Sequence, residues 1–71
     1  MHLGLYKHFK GQSYRVIGTA IHTETGEVLV IYIAIYGEDK IYARPRTMFL
    51  ESVEHKGATV PRFKFIEEGD Y

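Results

Sequence analysis

One tract limits what this chain can become. Val28-Leu29-Val30-Ile31-Tyr32-Ile33-Ala34-Ile35-Tyr36 places β-branched and aromatic residues at most positions and apolar residues on both alternating faces. Such side chains favour extended backbone over helix. Apolar residues on both faces predict a strand covered from both sides, as in a tightly curled barrel or at a contact between two copies. In a chain of 71 residues nothing else is available to cover a flat sheet. The tract therefore predicts an all-β domain in which the sheet covers itself.

The punctuation around it agrees. Gly11, Gly26, Gly37 and Gly57 each sit in a polar cluster between apolar segments, as turns between strands do. The segments they separate are Tyr14 to His22, Glu27 to Tyr36, Lys40 to Pro45 and Thr59 to Ile66, with a shorter one from Leu5 to Lys10. Thr23-Glu24-Thr25-Gly26 and Gly37-Glu38-Asp39 read as hairpin turns. Gly18 reads as a bulge that lets the sheet bend. Phe63 and Phe65 alternate with Arg62 and Lys64, which puts the phenyl rings inside, and Pro61 opens that strand. Arg44-Pro45-Arg46-Thr47-Met48-Phe49-Leu50 lacks a period of two, and one helical turn after the proline would bury Met48 and Phe49. The expected architecture is a small SH3-like antiparallel barrel of about five short strands with one helical turn. It forms a single domain with its core over 6–66 and a loose tail over 67–71.

Composition narrows the function classes. With no cysteine, disulfides, thiolate chemistry and Cys-rich zinc folds are excluded. Nine Lys+Arg balance nine Asp+Glu, which argues against a surface built for nucleic acid or anionic membrane. No apolar run reaches the ~20 residues of a membrane-spanning helix, and Met1-His2-Leu3-Gly4 does not begin a signal peptide, so the expected compartment is the cytoplasm.

The residues also carry a resemblance. Tyr6-Lys7-His8-Phe9-Lys10-Gly11 followed by Tyr14-Arg15-Val16 is similar to the opening of a bacterial family known as domain of unknown function 1653. His22-Thr23-Glu24-Thr25, Val30-Ile31-Tyr32, Ile35-Tyr36-Gly37, Arg44-Pro45 with Met48-Phe49, and Arg62-Phe63 resemble its later motifs, in order, from Tyr6 to Ile66. The chain departs from the pattern at Ile21, where a basic residue is expected, and at Ile41-Tyr42-Ala43, where a more Trp-like segment is expected. The resemblance implies a compact, mostly β domain found alone or joined to others. It supplies no reaction, cofactor or catalytic residue.

Candidate site residues follow from chemistry. His2, His8, His22 and His55 lack the spacing that gathers metal ligands, although His8 and His22 could meet, with Glu24 nearby, if the first segment pairs with the strand ending at His22. Ser13 and Ser52 lack a nucleophile signature, and no phosphate-binding glycine string occurs. Tyr42, Arg44, Arg46, Arg62 and Lys64 fall on strands that could be neighbours, with Tyr14, Tyr32 and Tyr36 close by. Tyrosine and arginine together suit a peptide groove and also stack on single-stranded nucleic acid, which the zero net charge disfavours. The expectation is a non-catalytic binding or accessory module that contacts protein or peptide. Its site is a rim of Tyr42, Arg44, Arg62, His22 and Glu24, with no cofactor and no metal. The strand Val28 to Tyr36 is also expected to offer an edge or face to a second copy.

Overall fold

The computed structural model describes residues 1–35, 37 and 40–69. Along the chain run β1 (Gly4–His8), β2 (Ser13–Ile21), β3 (Val28–Ala34), β4 (Ile41–Pro45), α1 (Arg46–Phe49), β5 (Ser52–His55), β6 (Ala58–Pro61) and β7 (Phe63–Glu67). Five strands form one antiparallel sheet in the order β4-β3-β2-β1-β7, and β5 and β6 form a separate hairpin. The domain is all-β apart from one helical turn, as the apolar tract requires.

The sheet does not close into the expected barrel. Its edges, β4 and β7, are not hydrogen-bonded to each other. It nevertheless curls strongly. Tyr32 on β3 and Phe63 on β7 belong to strands three positions apart, roughly 14 Å at ordinary strand spacing, yet their ring centroids lie 5.5 Å apart. What separates the edges is the chain between them. α1 places Phe49 on the concave face, fully buried and stacked on Phe63 with centroids 4.1 Å apart and planes 5° from parallel. The core is this layer: Tyr6, Val16, Val30, Tyr32, Phe49 and Phe63, with Tyr14 and Phe65 packed against it.

Alternation along each strand explains the membership. In β3, Val30 and Tyr32 point to the concave side and are buried, while Leu29, Ile31 and Ile33 lie half-buried on the other. The expectation that this strand offers an edge fails, because β3 pairs with β2 on one side and β4 on the other. Of the two residues expected to be buried by the helical turn, only Phe49 is; Met48 is 47% exposed. Successive helical residues diverge by about 100°, so one turn turns just one of the pair to the sheet.

Two strands more than expected are present in the second half. Thr59 to Ile66 is broken at Arg62, whose N–H donates to the Glu51 carbonyl and whose own carbonyl accepts from the Phe9 N–H, both at 2.9 Å. Pro61 therefore closes β6 instead of opening β7. β5 carries one apolar residue, Val53, too few for a pattern to be seen. Its hairpin turns at Lys56 and Gly57, where φ of 51° and 78° match a two-residue type I′ turn. The expected bulge is present: the β2–β3 register shifts between Val16 and Gly18. Of the second expected turn, Glu38 and Asp39 lie outside the described residues, as does Tyr36. Glu67, assigned to the tail, pairs with Leu5 in β7.

Truncating Phe49 to alanine is expected to cost about 3–5 kcal/mol, since a fully buried ring leaves a cavity; urea denaturation measures it, and a loss under about 1 kcal/mol would contradict the stacked core. Two glycines give a sharper contrast. At Gly4, φ is +131° and a Cβ would strike the Glu67 carbonyl oxygen, whereas a Cβ at Gly18 meets nothing within 4 Å. Gly4→Ala should destabilise clearly, while Gly18→Ala should stay within about 0.5 kcal/mol of the parent.

Candidate functional site

The concave face ends in an aromatic and cationic pocket. On β4, alternation puts Tyr42 and Arg44 on the same side, opposite Tyr32 and Val30 of β3. Tyr14 stands across from Ala34, two residues along β2 from Val16, which faces Tyr32. Three tyrosines thus converge. Tyr32 and Tyr42 stack with centroids 5.6 Å apart and planes 28° from parallel. The edge of Tyr14 meets Tyr32 at 5.5 Å and Tyr42 at 6.5 Å. Together with Arg44 they line an opening of about 190 Å³. That is below the ~300 Å³ of a typical small-molecule pocket and fits a single side chain or small polar group. A larger hollow of about 390 Å³, by Leu3, Arg15, Ile17 and Gly69, has a mainly apolar lining and lacks such convergence.

Arg44 is the electrostatic centre. Its guanidinium carbon lies 5.6 Å from the centroid of the Phe63 ring, a cation–π contact. Its charge also reaches the Tyr32 hydroxyl. It is half-buried, and among the described residues no carboxylate pairs with it. Burial pushes the Tyr32 hydroxyl above its ordinary value; Arg44 pulls it down, and neighbouring Tyr14 and Tyr42 add to the rise. His8 stands behind the pocket, edge-on to Phe63 at 4.8 Å and to Tyr14 at 6.5 Å. Burial, then the charges of Arg44, Lys10 and Arg62, hold it below 6.5. As a neutral ring it accepts the Lys10 N–H on Nδ1 at 3.1 Å.

The five residues expected to share a rim divide into three groups. Tyr42 and Arg44 lie together in the pocket. Arg62 sits at the break before β7, where its side chain donates to Glu51 Oε1 at 2.9 Å, although its charge still reaches His8. His22 and Glu24 belong to the β2–β3 turn. There His22 Nδ1 accepts the N–H groups of Glu24 and Thr25 at 3.2 and 3.4 Å, and its carbonyl accepts from Gly26 at 2.8 Å. This histidine shapes the turn. The possible meeting of His8 and His22 does not occur, because β1 runs antiparallel to β2 and pairs Lys7 with Ser13. His8 is therefore at the Ser13 end, the nine-residue length of β2 away from His22. Among the described residues no group of three or more His, Asp or Glu could hold a metal. Lys64 pairs with Lys7 on the face away from Phe63, and Arg46 is exposed on α1, so neither joins the pocket.

The sequence places Tyr14 and Tyr32 near the site but not His8 and Phe63, which pack against the lining residues Tyr14, Tyr32 and Arg44. Alternation within β1 and β7 gives their facing; no local signal gives the β1–β7 pairing that sets His8 against Phe63.

Fold and site together define a small open antiparallel domain with an aromatic, cationic pocket on its concave face. The chain belongs to the DUF1653 family, proteins of unknown function, which it matches over residues 4–65. It is similar to the crystal structure of a DUF1653 protein from Bordetella bronchiseptica, with 29% identity and a TM-score of 0.88 over 100% of this chain and 94% of that one. No curated protein matches it.

The state of His8 has a measurable consequence. Its folded value is depressed, so near pH 6.5 the unfolded chain takes up a proton that the folded chain resists. Stability should fall as pH drops through 6.5 and level off below the folded value. Denaturant midpoints between pH 7.5 and 5 should decline less in His8→Gln than in the parent. Equal declines would show that His8 does not carry this dependence.

Proposed function

We propose that this chain is a non-catalytic binding module whose concave pocket receives one side chain of a protein or peptide partner. The observation that supports this reading is the convergence of Tyr14, Tyr32 and Tyr42 around an opening of about 190 Å³ beside Arg44. Tyrosine and arginine are the residue types that most often anchor such contacts. Rigid rings already packed on one another lose little freedom on binding. Tyr42 is 40% exposed and supplies the accessible wall.

Single-stranded nucleic acid is the second reading, favoured by the gathering of Arg44, Arg62 and Lys10 around His8. Stacking of bases needs open ring faces. Here Tyr32 is buried, and its ring and that of Tyr42 stack on each other. The geometry suits an inserted side chain better than a stacked base.

A randomised peptide library selected on the purified chain tests the choice. Selected peptides should bind Tyr42→Ala about tenfold or more weakly, the loss of ~1.4 kcal/mol or more expected of an anchor. Equal binding to parent and Tyr42→Ala would overturn the pocket reading. Affinity for mixed oligonucleotides that falls steeply with salt, in place of peptide binding, would favour the second reading.

A further inference from the structure

We infer that the pocket is a carboxylate subsite, in which Arg44 forks onto a monoanionic group while the hydroxyls of Tyr42 and Tyr14 approach its oxygens. The inference rests on the reading of this pocket as a binding site and names the chemistry it selects.

Three observations carry it. First, Arg44 is half-buried over the Phe63 ring and, among the described residues, has no carboxylate partner. A cation withdrawn from water without a counter-charge is costly to hold. A guanidinium has five donors in a planar fork, and the fork matches a carboxylate. Second, the contrast with Arg62 is internal to the structure. That arginine, whose charge also reaches His8, already has its carboxylate, Glu51, at 2.9 Å. Lys10 lies over the Phe9 ring and does not line the opening, so the lining itself carries one positive charge, which complements a monoanion better than a phosphate dianion. Third, the lining supplies neutral donors. The tyrosines that line the opening carry hydroxyls, and O–H bonds to an anion are shorter and stronger than those between neutral groups. The opening of about 190 Å³ accommodates the end of an aspartate or glutamate side chain, or a chain terminus.

The test is a titration of the isotope-labelled full chain by heteronuclear NMR, read at the Arg44 Nε–H and the amides of Tyr32 and Tyr42. The first probes are sodium acetate, acetamide and inorganic phosphate at constant ionic strength. Acetate should give saturable shifts at these positions, with acetamide giving none and phosphate binding no tighter than acetate. In Arg44→Gln the acetate affinity should fall about tenfold or more. Tyr42→Phe keeps the ring and removes one hydroxyl, so it should weaken acetate severalfold even if Arg44→Gln fails to fold. Blocked pentapeptides with central Glu or Gln, and free-acid or amidated polyalanine, then separate a side-chain source from a terminal one.

Acetate leaving the pocket resonances unmoved, or shifting parent and both variants alike, would overturn the inference. Tighter binding of phosphate would overturn the assignment to a carboxylate. If library-selected peptides engage Tyr42 but show no preference for Glu over Gln or acid over amide, the subsite inference falls while the peptide-pocket reading stands. If acetate saturates the pocket and no peptide binds, the subsite stands and the peptide reading falls.

Discussion

The contact between Phe49 and Phe63 is the constraint on which the rest depends. One ring comes from a helical turn of four residues and the other from the last strand, and they lie face to face at 4.1 Å in the middle of the concave layer. Around this pair the sheet curls. Tyr6 and Tyr32 set their edges against Phe49, Tyr14 sets its edge against Phe63, and Arg44 lies over Phe63. A domain of this length has little apolar area to remove from water. Large rings that interlock edge to face and face to face gain the most from it. The same filling keeps β4 and β7 apart, so an open sheet and a well-packed interior share one cause.

Much of this was legible in the sequence. The apolar tract predicted an extended, all-β chain, and Gly18 predicted the bend. The alternation around Phe63 predicted which side was inside. What was not legible is what long-range pairing decides. Closure of the sheet depended on where Phe49 would go, and a seven-residue stretch without periodicity does not state that. β5 was missed because Ser52-Val53-Glu54-His55 carries a single apolar residue and is held by its partner across a turn. For the site, the spacing of Tyr42 and Arg44 placed both on one face. The inclusion of His22 and Glu24 failed because the short β2–β3 hairpin turns the His22 ring onto its own backbone, where it accepts the Glu24 and Thr25 N–H groups.

The charge arithmetic shows a related limit. A formal charge of zero describes the whole chain, but fields act locally. The strands bring Arg44 toward His8, Lys10 and Arg62, while Glu51 answers Arg62, and Glu27 and Glu54 accept hydrogen bonds from threonines elsewhere. A neutral total is thus compatible with a pocket of one sign, and register between strands decides where that sign accumulates.

The pairing of β1 with β7 sets how the molecule must assemble. Leu5 meets Glu67 and His8 meets Phe63 across nearly the whole chain, so the loop closed in that step is almost as long as the polypeptide itself. Closing such a loop is entropically costly, and contacts of this separation form slowly. Hairpins such as β2–β3 can form early, but half of the Phe49–Phe63 pair is missing until the final strand arrives. A nascent chain on the ribosome therefore completes its interior only once Phe63 has emerged, and the pocket is finished with it.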